Sequence, residues 1–469
     1  MNKKSSLGKN ILIFGLGTSL SKLMSVLLIG LYTAYISTED YGYYDILFTV
    51  ISLMTPLVTL QITDALYRHL LDSRGDGDAN RSVTNAFAVV AAGLGLAVAA
   101  FLAVNALADV RFGGILPGYM VTSVMLVFSQ QTARGLRRNA VYAVSGVVYT
   151  GVMMAANILM IVTLGFGVEA LLYSTMIADV VAVLLIERTV GVFRRLRLSH
   201  FSFGQIQSMC RYSVPLLPGA LMWWLLLLVS RAVISQTLGT SYNGIYAVSA
   251  KFPGLLIVVF SIFGLAWQES AITEYDSEHR NEYYTKTFNL YMRLLLSSML
   301  ILFSVTRSAT MVLIGEEFSS AWRYIPFLYI GSIFSAFSQF YGTGYLSAKK
   351  TLGSFMTTFI GVGCGFLCLF LVPVWGLQAA ALAQMAAYIM VFLTRLVHTR
   401  KFFRIRIELP ALFILSALTV LFTYGYYLAD MRVEIAMLAL ALVIFFAMNR
   451  KFIRRLFDMA VSALRKQEG

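Results

Sequence analysis

Apolar runs of 17 to 29 residues, separated by short polar segments, follow one another along almost the whole chain. A helix needs about 20 mostly apolar residues to cross a bilayer, so this pattern predicts a series of spanning helices. The runs fall at 10–36, 42–70, 82–106, 115–133, 140–164 and 168–188, then at 213–238, 244–269, 290–306, 324–346, 354–373, 376–397, 409–428 and 433–449. The expected fold class is an all-α membrane protein with about 14 transmembrane helices. The last run is only 17 residues long and opens beside Glu434.

The charges give an independent reading of the same pattern. Lys and Arg crowd into the loops that face the cytoplasm and are sparse in the others. With the N-terminus inside, 30 of the 37 Lys and Arg residues fall in inner segments, and only Arg111, Arg307, Arg323 and Arg432 fall outside. The alternation holds through the last span, placing both termini in the cytoplasm of a bacterial or archaeal cell. The net charge of +14 is therefore topological and requires no nucleic acid.

Composition narrows the classes further. With 58% hydrophobic and 13% charged residues, and a mean hydropathy of +0.75, the chain needs a membrane as solvent. Three cysteines and four scattered histidines make neither a disulfide framework nor a metal site. The basic N-terminus resembles a signal peptide, but Lys22 interrupts its apolar core and no cleavage site follows, so an uncleaved first span is expected. No nucleophile with a base, no phosphate-binding loop and no metal cluster is legible. The sequence thus points away from an enzyme, a cofactor or an ATP-driven pump.

A faint repeat suggests two lobes. Gly42-x-Tyr44 recurs as Gly244-x-Tyr246, 202 residues later, each time between two apolar runs of similar length. The expected organisation is an N-terminal six-helix lobe (1–188), a cytoplasmic amphipathic linker (189–212), a second six-helix lobe (213–400), an additional helix pair (401–449) and a basic tail (450–469). The tail sets Ile453, Leu456, Phe457, Ala460, Val461 and Leu464 on one helical face opposite its basic residues, as in a helix lying on anionic lipid.

Charges inside the spans are the candidate functional residues, because each costs about 2.5 to 3.5 kcal/mol near the bilayer centre. Lys22, Arg231 and Lys251 are the cations, with Arg231 and Lys251 expected at similar depth. Together they could seat a phosphate or diphosphate; the alternative is that they snorkel or pair with acids. Asp45, Asp64 and Asp179 are the acids. Asp64 stands four residues before Arg68, a spacing that suits an ion pair on one helix. Asp179 has no cation within a turn and is the best candidate for coupling to H+ or Na+.

Two blocks carry a family resemblance. LSKLMSVLLIGLYTAYISTEDYGYYDILFTVISLMTPLVTLQITDALYRHL resembles the opening hairpin of the Wzx-type polysaccharide flippases, of the multidrug/oligosaccharidyl-lipid/polysaccharide exporter superfamily. RYSVPLLPGALMWWLLLLVSRAVISQTLG, followed by YNGIYAVSAKFPGLLIVVFSIFGLAWQES, resembles the start of their second lobe, and ARGLRRNAVYAVSGVV carries a weaker likeness. The resemblance implies two six-helix lobes around a central cavity that opens alternately to either side. It also implies a polyprenyl-diphosphate-linked oligosaccharide as cargo, membrane lipids as surroundings, and a polysaccharide polymerase and glycosyltransferases as partners. Lys22, Arg231 and Lys251 match basic family positions. Ser230 stands where relatives commonly carry an acid, which would leave Arg231 freer for an anionic ligand. A cation-coupled multidrug antiporter of the same fold and a non-transporting assembly partner are the competing expectations.

The orientation is directly testable by cysteine labelling on intact cells. Cysteines placed at positions 76 and 197 should resist a membrane-impermeant thiol reagent, and strong labelling from outside would reverse the topology.

Overall fold

The computed structural model describes residues 24, 27–73, 75–108, 110–256, 263–264, 267, 270–271, 274–348 and 351–465. Among them the chain is helical throughout, without strands. The helices are α1 (27–35), α2 (Thr38–Thr59), α3 (Ile62–Asp72), α4 (Asp76–Ala108), α5 (Leu116–Gly135), α6 (Asn139–Ile158), α7 (Glu169–Val190), α8 (Phe203–Ser213), α9 (Leu217–Thr237) and α10 (Thr240–Ser249). They continue with α11 (Arg280–Leu313), α12 (Ile325–Ser347), α13 (Thr351–Leu369), the single turn α14 (Val372–Trp375), α15 (Leu377–His398), α16 (Leu409–Leu428) and α17 (Met431–Arg465). Among the described residues, ten helical segments are by themselves long and apolar enough to cross a membrane. α5 and α12 fall short because they carry polar residues such as Ser129, Thr132 and Ser338, which are buried against protein.

Two predicted spans are broken. The run at 42–70 forms two helices, because Leu60 and Gln61 both adopt left-handed backbone, at φ 47° and 55°. Neither residue is a Gly or Pro, so the break leaves little trace in the sequence. The run at 244–269 is interrupted where Pro253 follows Lys251. There Lys251 N–H bonds the Val248 carbonyl, and Gly254 N–H bonds the carbonyl of Lys251, each at 3.0 Å. Broken backbone is tolerated at membrane depth where it is buried in protein or lines a cavity.

The chain divides into two compact units, Met1–Ala247 with Leu369–Ala380 and Val248–Cys368 with Ala381–Gly469. The first is built on an aliphatic core in which Ile62, Leu66, Val83, Val90, Met120, Val124 and Phe128 are buried. Gly93 lets α4 approach α2 so closely that a Cβ there would lie 2.0 Å from the Val58 carbonyl oxygen. The second unit has an aromatic core, with Trp267 and Phe340 stacked at 3.9 Å and Phe288 edge-on to Phe337, Phe340 and Tyr341. Gly361 packs α13 against α15, where a Cβ would meet Val391 at 2.2 Å.

Each unit carries the same clasp. In the first, the Asn85 side chain donates to the His200 carbonyl at 3.0 Å and accepts from Ser202 N–H at 2.8 Å. In the second, the Asn289 side chain donates to the Arg406 carbonyl and accepts from Glu408 N–H, both at 2.9 Å. One asparagine on a long helix thus satisfies alternate peptide groups of an extended segment, which would otherwise leave unpaired backbone beside the membrane. Neighbouring positions repeat the theme, with Thr84 accepting from Arg197 N–H and Thr285 from Arg406 N–H. The repeat is therefore structural as well as sequential.

α17 is firmly attached, despite the acid at its start. Glu434 is buried and pairs with Arg307 of α11 at 2.8 Å, with Ser308 donating to its other oxygen. Further along, Asn449 donates to Ser297 at 3.0 Å. Arg395 is buried in α15. It donates to the Ser338 carbonyl and to the hydroxyls of Ser354, Thr357 and Thr358.

Removing one member of the Arg307–Glu434 pair strands the other charge, at a cost of about 3–5 kcal/mol. Glu434→Leu should accordingly lower the melting temperature of the purified protein sharply. The double variant Arg307→Leu/Glu434→Leu should recover most of the loss, and equal damage in both variants would remove the ion pair from this account.

Candidate functional site

The first unit holds an open cavity of about 460 Å³ beside the break between α2 and α3. Thr55, Pro56, Thr59, Gln61, Thr63 and Asp64 bring the broken helix to its wall. Pro56 donates no backbone hydrogen bond, and the two left-handed residues turn the chain at the cavity wall. Tyr119, Ser123 and Gln131 of α5, Tyr149 of α6, Thr175 and Asp179 of α7 and Trp224 of α9 complete much of the lining.

Asp179 is held in place at this wall. Thr122 and Ser123 donate to its Oδ2 at 3.0 and 2.9 Å. No other side chain among the described residues bonds it, and Asp179 is part of the cavity lining. Asp64 lies in the first turn of α3 and lines the same cavity. The expected Asp64–Arg68 pair does not form, because Arg68 points the other way along the helix and pairs with Asp72 at 3.9 Å. Two of the three acids legible in the sequence, Asp64 and Asp179, therefore share one cavity.

Asp45 and Arg231 make a separate site. Arg231 Nε donates to Asp45 Oδ2 at 2.9 Å, joining α9 to α2 across 186 residues of sequence, and both side chains are buried. The guanidinium also lies over the Tyr246 ring, 5.0 Å from its centroid. Its NH1 is buried without a hydrogen-bond partner among the described residues. Asp45 thus supplies an acid where Ser230 does not, so Arg231, expected to be freer for an anionic ligand, is paired in this structure. Lys251, half-buried in the turn after α10, belongs to the second unit, and Lys22 lies outside the described residues.

Beside this pair the repeated glycines meet. A Cβ on Gly42 would lie 2.1 Å from the Thr240 carbonyl oxygen, and one on Gly244 would lie 2.0 Å from the Thr38 carbonyl oxygen. Thr38 and Thr240 are themselves 202 residues apart, so the contact is reciprocal, each glycine receiving the other helix's backbone. Asn243, fully buried, donates to the Gly42 carbonyl at 2.7 Å. The repeat was visible in the sequence; that its two copies touch was not, and neither was the role of Asn243.

Repeated helical units, broken spans and a cavity lined by two acids define a multi-pass membrane transporter fold. The chain belongs to the polysaccharide biosynthesis protein family, whose model matches residues 35–323. Its fold is that of the multidrug/oligosaccharidyl-lipid/polysaccharide exporter superfamily. The lipid II flippase MurJ, in an inward closed conformation, is similar over 95% of this chain and 99% of its own, at 12% identity and a TM-score of 0.68. An inward-facing multidrug resistance MATE family transporter is similar over 81% of this chain and 94% of its own, at 14% identity and a TM-score of 0.62. No curated protein matches the chain by sequence.

The glycine contact generates a sharp expectation. Gly244→Val should separate α2 from α10, so a bifunctional thiol reagent should link Thr38→Cys to Thr240→Cys efficiently in an otherwise unchanged chain and poorly when Gly244→Val is added. Undiminished linking would show that the close approach is dispensable.

Proposed function

We propose that this protein is a flippase that carries a polyprenyl-diphosphate-linked oligosaccharide from the inner to the outer leaflet of the cytoplasmic membrane by alternating access, and catalyses no covalent step. The observation that carries the reading is the buried Asp45–Arg231 pair at the crossing of the two repeated glycines. A buried guanidinium cannot lose its acid without a replacement, because stranding one member of such a pair costs about 3–5 kcal/mol. When the α2–α10 crossing opens, the diphosphate of the carrier takes the place of Asp45 on Arg231. Opening and cargo binding are then one exchange of partners, and the planar fork of arginine suits two phosphate oxygens. Lys22 and Lys251 are proposed as further cations for the anionic groups of the carrier. Asp179, with Asp64 beside it, takes the coupling ion, H+ or Na+, in the separate cavity. Family membership and the likeness to a lipid II flippase support the lipid-linked class of cargo, and the arginine-rich loops support cytoplasmic termini. Glycosyltransferases and a polymerase would supply and consume such a cargo.

A second reading has its own support. Asp64 and Asp179 are the charged residues lining the 460 Å³ cavity, with Tyr119, Tyr149 and Trp224 around them, a setting that also suits a hydrophobic organic cation. Binding to the purified protein separates the two. A polyprenyl diphosphate should bind, and lose affinity in Arg231→Ala, while a hydrophobic cation binds weakly. Tighter binding of the cation, lost in Asp179→Asn, would establish the antiporter reading instead. In the flippase reading Asp179→Asn should slow gradient-driven flipping while leaving diphosphate affinity unchanged. Transport by the native protein that ignores ion gradients would remove the coupling role.

A further inference from the structure

A second cleft, of about 510 Å³, opens where α7 ends, and nothing in the transport cycle uses it. It is lined by the start of α4 (Asp76, Asn80), the end of α7 (Glu187–Gly191) and the linker arginines Arg194, Arg195 and Arg197. Its charges do not cancel. Asp76 is taken by Arg195, which bonds it and Asn80 at 3.0 Å each. Glu187 accepts the Phe193 N–H at 2.8 Å and lies 3.9 Å from Arg194. Arg188 and Arg197 remain, both exposed and without a side-chain partner among the described residues. Arg195 Nε is buried and unpaired as well.

The surroundings are apolar. Leu198, Phe201 and Phe203, which follow directly in the linker, are 94%, 55% and 74% exposed. A span-forming helix ends at the cleft, which puts it at headgroup depth, where such side chains enter the acyl boundary. The clasp of Asn85 on His200 and Ser202 fixes the linker backbone, so the arginines are presented on a built surface.

We propose that this cleft binds the phosphodiester headgroup of an anionic phospholipid of the inner leaflet, with Arg188 and Arg197 on the phosphate and Leu198, Phe201 and Phe203 beside its acyl chains. A free phosphate would use the arginines alone and leave the three apolar side chains in water.

A photoactivatable phosphatidylglycerol, reconstituted with the full chain in phosphatidylcholine nanodiscs, tests this by mapping the labelled peptides. Labelling should fall within 187–203, and Arg188→Gln/Arg197→Gln should reduce it about tenfold, as expected for two basic residues at an anionic headgroup. The control Arg450→Gln/Lys451→Gln should leave it unchanged, and a photoactivatable phosphatidylcholine should not label the segment. Ten-millimolar-scale inorganic phosphate, about the concentration that still leaves most surface attraction unscreened, should not displace the lipid. Labelling that survives the double variant, equal labelling by phosphatidylcholine, or displacement by inorganic phosphate would each overturn the proposal.

Discussion

Hydrocarbon offers no hydrogen bonds, and every polar group this chain carries into the membrane must find its partner within the protein. Most of the structural features above are answers to that single demand. Asp45 answers Arg231, Glu434 answers Arg307, and a carbonyl with three hydroxyls answers Arg395. Asn85 and Asn289 do the same for backbone, each closing off the peptide groups of an extended segment where a helix has stopped.

The same demand explains how a rigid bundle can move. An apolar interface in lipid has little driving force to form, since acyl chains are as apolar as leucine, and close backbone packing and polar contacts must hold it. The crossing at Gly42 and Gly244 has both, in the reciprocal glycine contact and the bonds from Asn243 and Arg231. It is small, so a ligand able to replace one polar partner can shift its equilibrium. A ligand moves a two-state element only through differential affinity for the two states. An anion that reaches Arg231 only when Asp45 has withdrawn has that property.

Much of this was legible in the sequence, and the rest was not for definite reasons. Apolar run length and the alternation of arginine-rich loops mark the helices, because lipid thickness and topology act on local sequence. The costly charges Arg231, Asp45, Asp64 and Asp179 stood out for the same reason. Which charge meets which was hidden, because the Arg231–Asp45 contact spans 186 residues. The Asp64–Arg68 expectation failed because spacing along a helix cannot tell that Asp64 begins a new helix facing a cavity. The break itself was silent, since Leu60 and Gln61 are ordinary residues in an unusual conformation. The Asn85 and Asn289 clasps escaped because an asparagine near the end of a span looks the same whether it meets water or backbone. The glycine repeat is the instructive case, a match of a few residues that marks a reciprocal close contact of two helix backbones.

The central claim is that Asp45 and the cargo's diphosphate compete for one guanidinium. The most direct measurement is the affinity of the purified protein for a polyprenyl diphosphate with Asp45→Asn, an isostere that keeps the shape of the pair and removes its charge. The account predicts tighter binding than in the native protein, because the competitor has lost its charge, and loss of that gain when Arg231→Ala is added. Weaker binding in Asp45→Asn alone would contradict it, since the acid would then be supporting the cargo site instead of competing with it.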